Sequence, residues 1–502
     1  MKATGYIYLK QVFGLNVSAM LEESYLHDKS CKVIFRERGV RRIYYPERRT
    51  VTSETWQGNL LFALKHEGVN LEILRAFFAR VSMTDVAEFI KEKPIGVYHR
   101  RIWFFYEYLM DVRLPIGDLG SGNYVDAVDA EFQVALSAEN AVRERRYRVL
   151  NNLIGNREFC PLVRLSEAKG EFSSAHLKKI SDDLIGRYSP ELLYRAVQYL
   201  YAKETRSSFA IERETPDQRR MESFVALLKE VADVPLTKEL LIGIQNRIVD
   251  ERYAQKNWRT SQVYVGETVT PEHEKIHYIA AKPGDLSELM DGFIRFVECL
   301  LSAPSIDPVV AAAVVSFAFV FIHPFEDGNG RIHRYLMHYV LSRTGFAPKG
   351  FVFPISAVLL KKPLEYDQLL ESYSRRLMAC LDYTVDENGE VTVRGDSAAF
   401  YRYIDFTPIV DGFRRIIRET VEIEWRAELD YLASYDRMRK MMREIVDMPE
   451  KKANQFVMFV CQNGGKLPKR RREYFGELNE GEVAALENVV TGNLPNKTDG
   501  RI

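Results

Sequence analysis

The most constraining feature of this chain is Val309 to Ile322, a run of 14 residues with no charge and a single hydroxyl, Ser316. A helix that is apolar all round must be buried on every side. The run is shorter than the ~20 residues needed to cross a bilayer. It therefore predicts a central core helix, and no membrane span is expected. The helix cannot simply continue, because His323-Pro-Phe-Glu-Asp-Gly-Asn-Gly330 follows it. Pro324 and the two glycines force a tight loop. A second helix opens with Arg331-Ile-His-Arg334.

These residue types in this order point to phosphate chemistry. Gly328 and Gly330 remove side-chain bulk, so backbone N–H groups at the start of the second helix can approach an anion. Helical spacing puts Arg331, Arg334 and His338 on one stripe and Ile332, Leu336, Tyr339 and Val340 on another. The apolar stripe is expected to face the core, leaving both guanidinium forks aimed at the anion, which suits polyphosphate. Asp327 is placed as a ligand for Mg²⁺, which prefers one or two carboxylates plus phosphate oxygens and water. His323 supplies a group that can take a proton near neutral pH. Alone, a Gly-Asn-Gly turn is commonplace, and two arginines three apart usually mark a solvated face. Together the pattern fixes about nine positions in twelve, and it implies phosphoryl or nucleotidyl transfer.

A length of 502 residues suggests two or three domains. Lys plus Arg equals Asp plus Glu, 70 each, so charge-driven binding to nucleic acid or membrane must be local. Five scattered cysteines without a Cys-x-x-Cys pair read as free thiols of a cytoplasmic protein, and the N-terminus shows no signal-peptide pattern. The first fifty residues read as β-rich, with a hairpin across 31–36 and 40–45 around a turn glycine. Helical patterns cover 53–110, resume near Pro190, and continue over 216–232, 237–250, 285–302, 307–322, 330–344 and 363–382. Thr215 and Pro216 read as N-cap and first residue of the first of these. Extended segments interrupt at 262–266 and 276–280, a short hairpin spans 383–393, and the remainder is helical. The expected fold is mainly α, with an N-terminal α+β domain (1–195), a helical core (196–385) and a helical C-terminal region (386–502).

The stretch His323-Pro-Phe-Glu-Asp-Gly-Asn-Gly-Arg-Ile-His-Arg334 resembles the signature of the Fic family, His-Pro-Phe-x-Asp/Glu-Gly-Asn-Gly-Arg-x-x-Arg, at every defined position. The resemblance extends over roughly 200–385. It includes Trp258-Arg-Thr-Ser-Gln-Val-Tyr-Val-Gly266, similar to the strand entering the family's β-hairpin flap (about 262–280), and Tyr366-Asp-Gln-Leu-Leu on a later helix. It implies a protein adenylyltransferase. His323 would deprotonate a Ser, Thr or Tyr hydroxyl of a target protein, or of the chain itself, for attack on the α-phosphorus of ATP. Asp327 would hold Mg²⁺, while Gly328, Asn329 and Gly330 position the α-phosphate. Arg331 and Arg334 would hold the β- and γ-phosphates, and Phe325 would anchor the loop. The flap would pair with an extended target segment. Gly330 favours AMP transfer, since a kinase-like member carries Lys there. Another diphosphate donor, such as CDP-choline, stays open at this stage.

Upstream, Ser207-Ser208-Phe-Ala-Ile-Glu212-Arg213 resembles the family's inhibitory helix, Ser/Thr-x-x-x-Glu-Gly/Asn, placed at about 205–214. The resemblance implies that Ser208 and Glu212 share a face and that Glu212 pairs with Arg334 in place of a γ-phosphate. Arg213 departs from the pattern, where a small residue is usual. The same Glu could support removal of AMP from modified targets.

Two further signals compete. His273-Glu-Lys-Ile-His277 matches His-Glu-x-x-His, but nearby prolines and an extended Tyr-Ile-Ala argue against the helix a zinc site needs. Lys466-Leu-Pro-Lys469-Arg-Arg-Arg472 reads as a solvated linker or as a nucleic-acid contact of a regulator. A nucleotide sensor without turnover is a further alternative, against which His323 and Asp327 both stand.

Overall fold

The computed structural model describes residues 1–493 except 38, 48–53, 166–172, 231–233, 271–272 and 388, and for 268–270 and 273–274 the backbone alone. The protein is mainly α, with small sheets. At its centre is the helix Pro308–Ile322, started by Asp307, whose carboxylate accepts from the N–H groups of Val309 and Val310, both at 3.0 Å. Nearly every side chain of this helix is buried, as its composition demands. It packs against Leu286–Leu301, Thr407–Glu419 and the helix that follows the signature loop, Asn329–Arg343. Among the described residues no helix is long and apolar enough to cross a membrane.

The long helix Pro190–Ile211 lies across Asn329–Arg343 and covers its polar side. The Arg331–Arg334–His338 stripe is not a solvated face: both arginines are 1% exposed and His338 is buried as well. Buried charges need partners, and this helix supplies them. Glu204 meets His338 Nε2 at 2.7 Å and receives the N–H of Ser356 at 2.9 Å. One helical turn on, Ser208 and Glu212 reach Arg334. The next helix, which runs Gln218–Glu230, corrects one expectation. Its cap is Asp217, whose carboxylate receives the Arg220 N–H at 2.8 Å, so Thr215 and Pro216 belong to the preceding turn.

The N-terminal hairpin forms as Val33–Glu37 antiparallel to Val40–Pro46. Local pattern did not reveal the rest of this sheet. Glu22–His27 pairs parallel to Val40–Pro46, Lys2–Thr4 closes the other edge, and a helix, Tyr6–Phe13, separates the first two strands. The aromatic block on the helix Val97–Met110 is core, with Trp103, Phe104 and Phe105 buried.

Beyond the central bundle, Arg426–Ile445, Glu450–Gln462 and Glu480–Asn493 gather their own apolar cluster around Met438, Phe456, Phe475 and Leu486. The basic run lies in its connector. Lys466 pairs with Glu487 at 2.8 Å and Arg472 donates to the carbonyls of Phe475 and Leu478, while Lys469 and Arg470 are exposed. This module is tied to Pro190–Ile211: Lys203 meets Glu428, and Arg195 donates to Asp436 Oδ1 at 2.6 Å.

Candidate active site

The signature loop is built by a helix that stops abruptly. His323 caps Pro308–Ile322 in a left-handed conformation, φ 56° and ψ 61°, and Pro324 prevents another helical turn. Phe325 is fully buried, its ring 5.3 Å from Trp258 and 6.3 Å from Phe319. The Asn329 amide spans the Phe325 peptide, accepting from its N–H at 3.1 Å and donating to its carbonyl at 2.7 Å. In this arrangement Asn329 braces the loop. Gly328 has φ 93°, a conformation that favours glycine, and a Cβ there would crowd the Val249 side chain at 3.0 Å.

Arg259 is the residue that local sequence pattern missed. It is buried, and its guanidinium donates to the carbonyls of His323 (2.8 Å), Ser261 (2.6 Å) and Ala281. Its backbone N–H donates to Pro324 O at 2.9 Å. One side chain thus clamps the loop to both ends of the flap, and burial pulls its pKa down to about 10. It lies inside the Trp258–Gly266 stretch, yet nothing about an Arg between Trp and Thr announces such a role.

His323 Nδ1 stands 3.0 Å from Val320 O. A carbonyl only accepts, so Nδ1 carries the proton and Nε2 keeps its lone pair. Burial lowers the pKa to about 4, outweighing the Val320 hydrogen bond, so the ring is neutral at pH 7. The ring borders a cleft of about 630 Å³ whose other walls include Val265, Glu267, Tyr278, Asp367 and Leu370. A neutral imidazole with a free nitrogen at a cleft is a proton acceptor.

The candidate anion site is built around Arg331 and Arg334. Arg331 donates to Asp327 Oδ1 (2.8 Å), Glu214 Oε2 (3.0 Å) and Ile248 O (2.8 Å). Arg334 donates to Ser208 Oγ (2.8 Å) and Ser208 O (2.7 Å) and pairs with Glu212 Oε1 at 2.8 Å. Arg331 Nε and Arg334 Nη1 are buried without a hydrogen-bond partner among the described residues. These are donors that polyphosphate oxygens would satisfy. A Cβ at Gly330 would fall 2.1 Å from Glu212 Oε1, so this carboxylate occupies the first turn of Asn329–Arg343, where an anion is favoured. Asp327 Oδ1 also receives the Gly328 N–H at 2.6 Å, and its second oxygen takes no hydrogen bond from a described residue. One half-exposed carboxylate fits a Mg²⁺ whose remaining ligands are phosphate and water. Among the described residues no cluster of three or more His, Cys, Asp or Glu could hold a metal by itself.

The flap forms as Tyr264–Thr270 paired with His273–Ile279. The His-Glu-x-x-His match is therefore extended backbone rather than helix, with the side chains of His273 and Glu274 outside the described residues. His277 lies beside the His323 cleft, 3.3 Å from Glu267.

The Fic/DOC family model matches residues 235–341. The chain is 43% identical over 91 residues to a protein adenylyltransferase Fic of Drosophila ananassae and 41% identical over 91 residues to that of Drosophila melanogaster. Each match covers 18% of this chain and 16% of the relative, so the chain spans about a sixth of the length of those relatives. A Fic domain-containing signaling protein from Bacteroides thetaiotaomicron superposes with TM-score 0.37 at 17% identity, over 51% of this chain and 96% of its own. The chain carries a Fic/DOC family domain at residues 235–341, with the signature loop inside it.

Proposed function

We propose that this protein transfers AMP from ATP to a hydroxyl of a target protein, and that Glu212 holds the transfer in check. The observation that carries the reading is the meeting, across one loop and the helix it opens, of a neutral His323 with a free Nε2 and two buried arginines whose anion site is filled by the protein's own carboxylate. His323 Nε2 takes the proton of the target hydroxyl as its oxygen bonds to the α-phosphorus. The bond to the bridging oxygen breaks and pyrophosphate leaves. The first-turn N–H groups and Arg331 and Arg334 hold the phosphates and exclude other orientations. Mg²⁺, held by Asp327, would supply charge neutralisation of the phosphates. The flap edge beside the cleft is suited to align an extended target segment.

The test is incubation with α-labelled ATP, with labelled protein identified by mass spectrometry. Glu212→Gly is expected to label a hydroxyl, of a target or of the chain itself, at least about tenfold faster than the native chain. Equal labelling by the two would remove the brake. No labelling by either, with ATP bound, would remove AMP transfer. The reverse reaction is the second reading, favoured by the same carboxylate standing at Gly330, where it could align a water. Loss of label from a modified target that requires Glu212 would identify it.

A further inference from the structure

The turn that ends the inhibitory helix holds not one carboxylate against the signature arginines but two. Glu212 pairs with Arg334 at 2.8 Å, and Glu214 pairs with Arg331 at 3.0 Å. Were the helix to continue, residues two apart would point to roughly opposite sides, at about 100° per residue. The helix instead ends at Ile211, and Arg213 adopts a left-handed conformation with φ 58°. The Arg213 N–H returns to Ala210 O at 3.0 Å and the Glu214 N–H to Phe209 O at 3.1 Å. That reversal swings Glu214 back over Phe209, whose ring also lies 5.4 Å from the Arg331 guanidinium. The two carboxylates thereby reach arginines one helical turn apart on Asn329–Arg343. Arg220, 3.3 Å away, holds Glu214 from behind.

We propose that Glu214 is a second inhibitory residue and that Glu212-Arg213-Glu214 acts as a two-carboxylate mimic of a nucleotide's phosphate chain. This rests on the reading of the arginines as the polyphosphate site. A phosphate chain entering the site must displace both carboxylates to hold both arginines, because each arginine gives one nitrogen to one of these carboxylates and keeps only a single buried donor, Arg331 Nε or Arg334 Nη1, unpartnered among the described residues. Removing Glu212 alone leaves Arg331 committed to Glu214, so release of the site is incomplete. The usual small residue after Glu212 is not needed for this geometry, since Arg213 takes the left-handed conformation itself.

The experiment measures the affinity of ADP with magnesium, and of a non-hydrolysable ATP analogue, by calorimetry. The full-length native chain is compared with Glu214→Gln, Glu214→Asp, Glu212→Gly and the double variant Glu212→Gly/Glu214→Gln. Glu214→Gln, nearly isosteric, is expected to tighten binding by about three- to tenfold, and the double variant to bind tighter than Glu212→Gly by a similar factor. Glu214→Asp keeps the charge and should return affinity toward the native value, which a change in packing alone would not do. Thermal unfolding establishes that each variant is folded, and a Glu214→Ala chain stands in if Glu214→Gln is not. Unchanged affinity in the single and double variants would overturn the proposal. Tighter binding without any AMP transfer would leave it standing and bring down the transferase reading instead.

Discussion

The signature loop and the turn that plugs it are held by opposite kinds of contact. The loop is fixed by groups that no ligand can replace: a fully buried Phe325, an Asn329 amide wrapped on one peptide, and an Arg259 fork spent on three carbonyls. The plug is held by carboxylates on guanidiniums, contacts that a phosphate oxygen can take over one for one. Glu212 and Glu214 are each about a third exposed, whereas Arg331 and Arg334 are 1% exposed. The difference teaches that the loop depends on contacts internal to the fold, whereas its covering turn rests on ion pairs of partly exposed carboxylates.

Removing His323 should have the largest effect. In a Glu212→Gly background, His323→Ala is expected to lower AMP transfer by about 10²–10⁴-fold with nucleotide affinity retained. A modest loss would show that the ring does not serve as the base. Next comes the clamp. Arg259→Ala should destabilise the fold by about 3 kcal/mol in denaturant titration, because carbonyls of His323, Ser261 and Ala281 lose buried charged donors. Arg259→Lys, lacking the fork, should recover only part of that. Full recovery by lysine would mean that charge alone holds the loop.

Acidification should weaken the fold around the loop. Burial lowers His323 to about 4 and His333 to about 3, from 6.5. Between those values and 6.5 the unfolded chain binds protons that the folded chain refuses. The contribution to stability is therefore complete above about pH 6.5 and falls as pH drops through this window. His333→Gln should flatten the slope of urea midpoint against pH. The same depression keeps His323 neutral, so the released enzyme should show no rate-limiting ionisation near 6.5. The smallest effect is expected at the plug's edge. Ser208→Ala removes one neutral acceptor from Arg334 and should raise labelling by about three- to fivefold, less than Glu212→Gly does. An effect as large as that of Glu212→Gly would show that the helix, rather than the carboxylates, does the blocking.

Much of the fold was legible locally, for reasons that particular residues make plain. The unbroken apolar run before His323 could only be an interior helix, and Pro324 and Gly328 could only end it and reverse the chain. The hairpins at 33–46 and 383–393 announced themselves by alternation around turn residues. The parallel pairing of Glu22–His27 with Val40–Pro46 did not, because register between distant strands is a matter of packing rather than of pattern. Thr215 before Pro216 read as a cap, yet the helix starts two residues later, where the Asp217 carboxylate receives the Arg220 N–H. The arginine stripe was legible as aimed at an anion, but a helix's own periodicity says nothing of what covers its polar side, here Glu204 and Glu212.

The sequence by itself determined which groups stand within twelve consecutive residues, an imidazole, a carboxylate, two glycines and two arginines, and that Pro324 and the glycines bend the chain between two helices there. Only the tertiary structure decided that Arg259 clamps that loop, that Glu204 and Glu212 come to the far side of the same helix, and that Glu214 reaches Arg331. Those partners lie 64 to 134 residues apart along the chain. Contacts across such separations are set by which buried charges must be satisfied when the helices close on one another, a condition that exists only once the chain has folded.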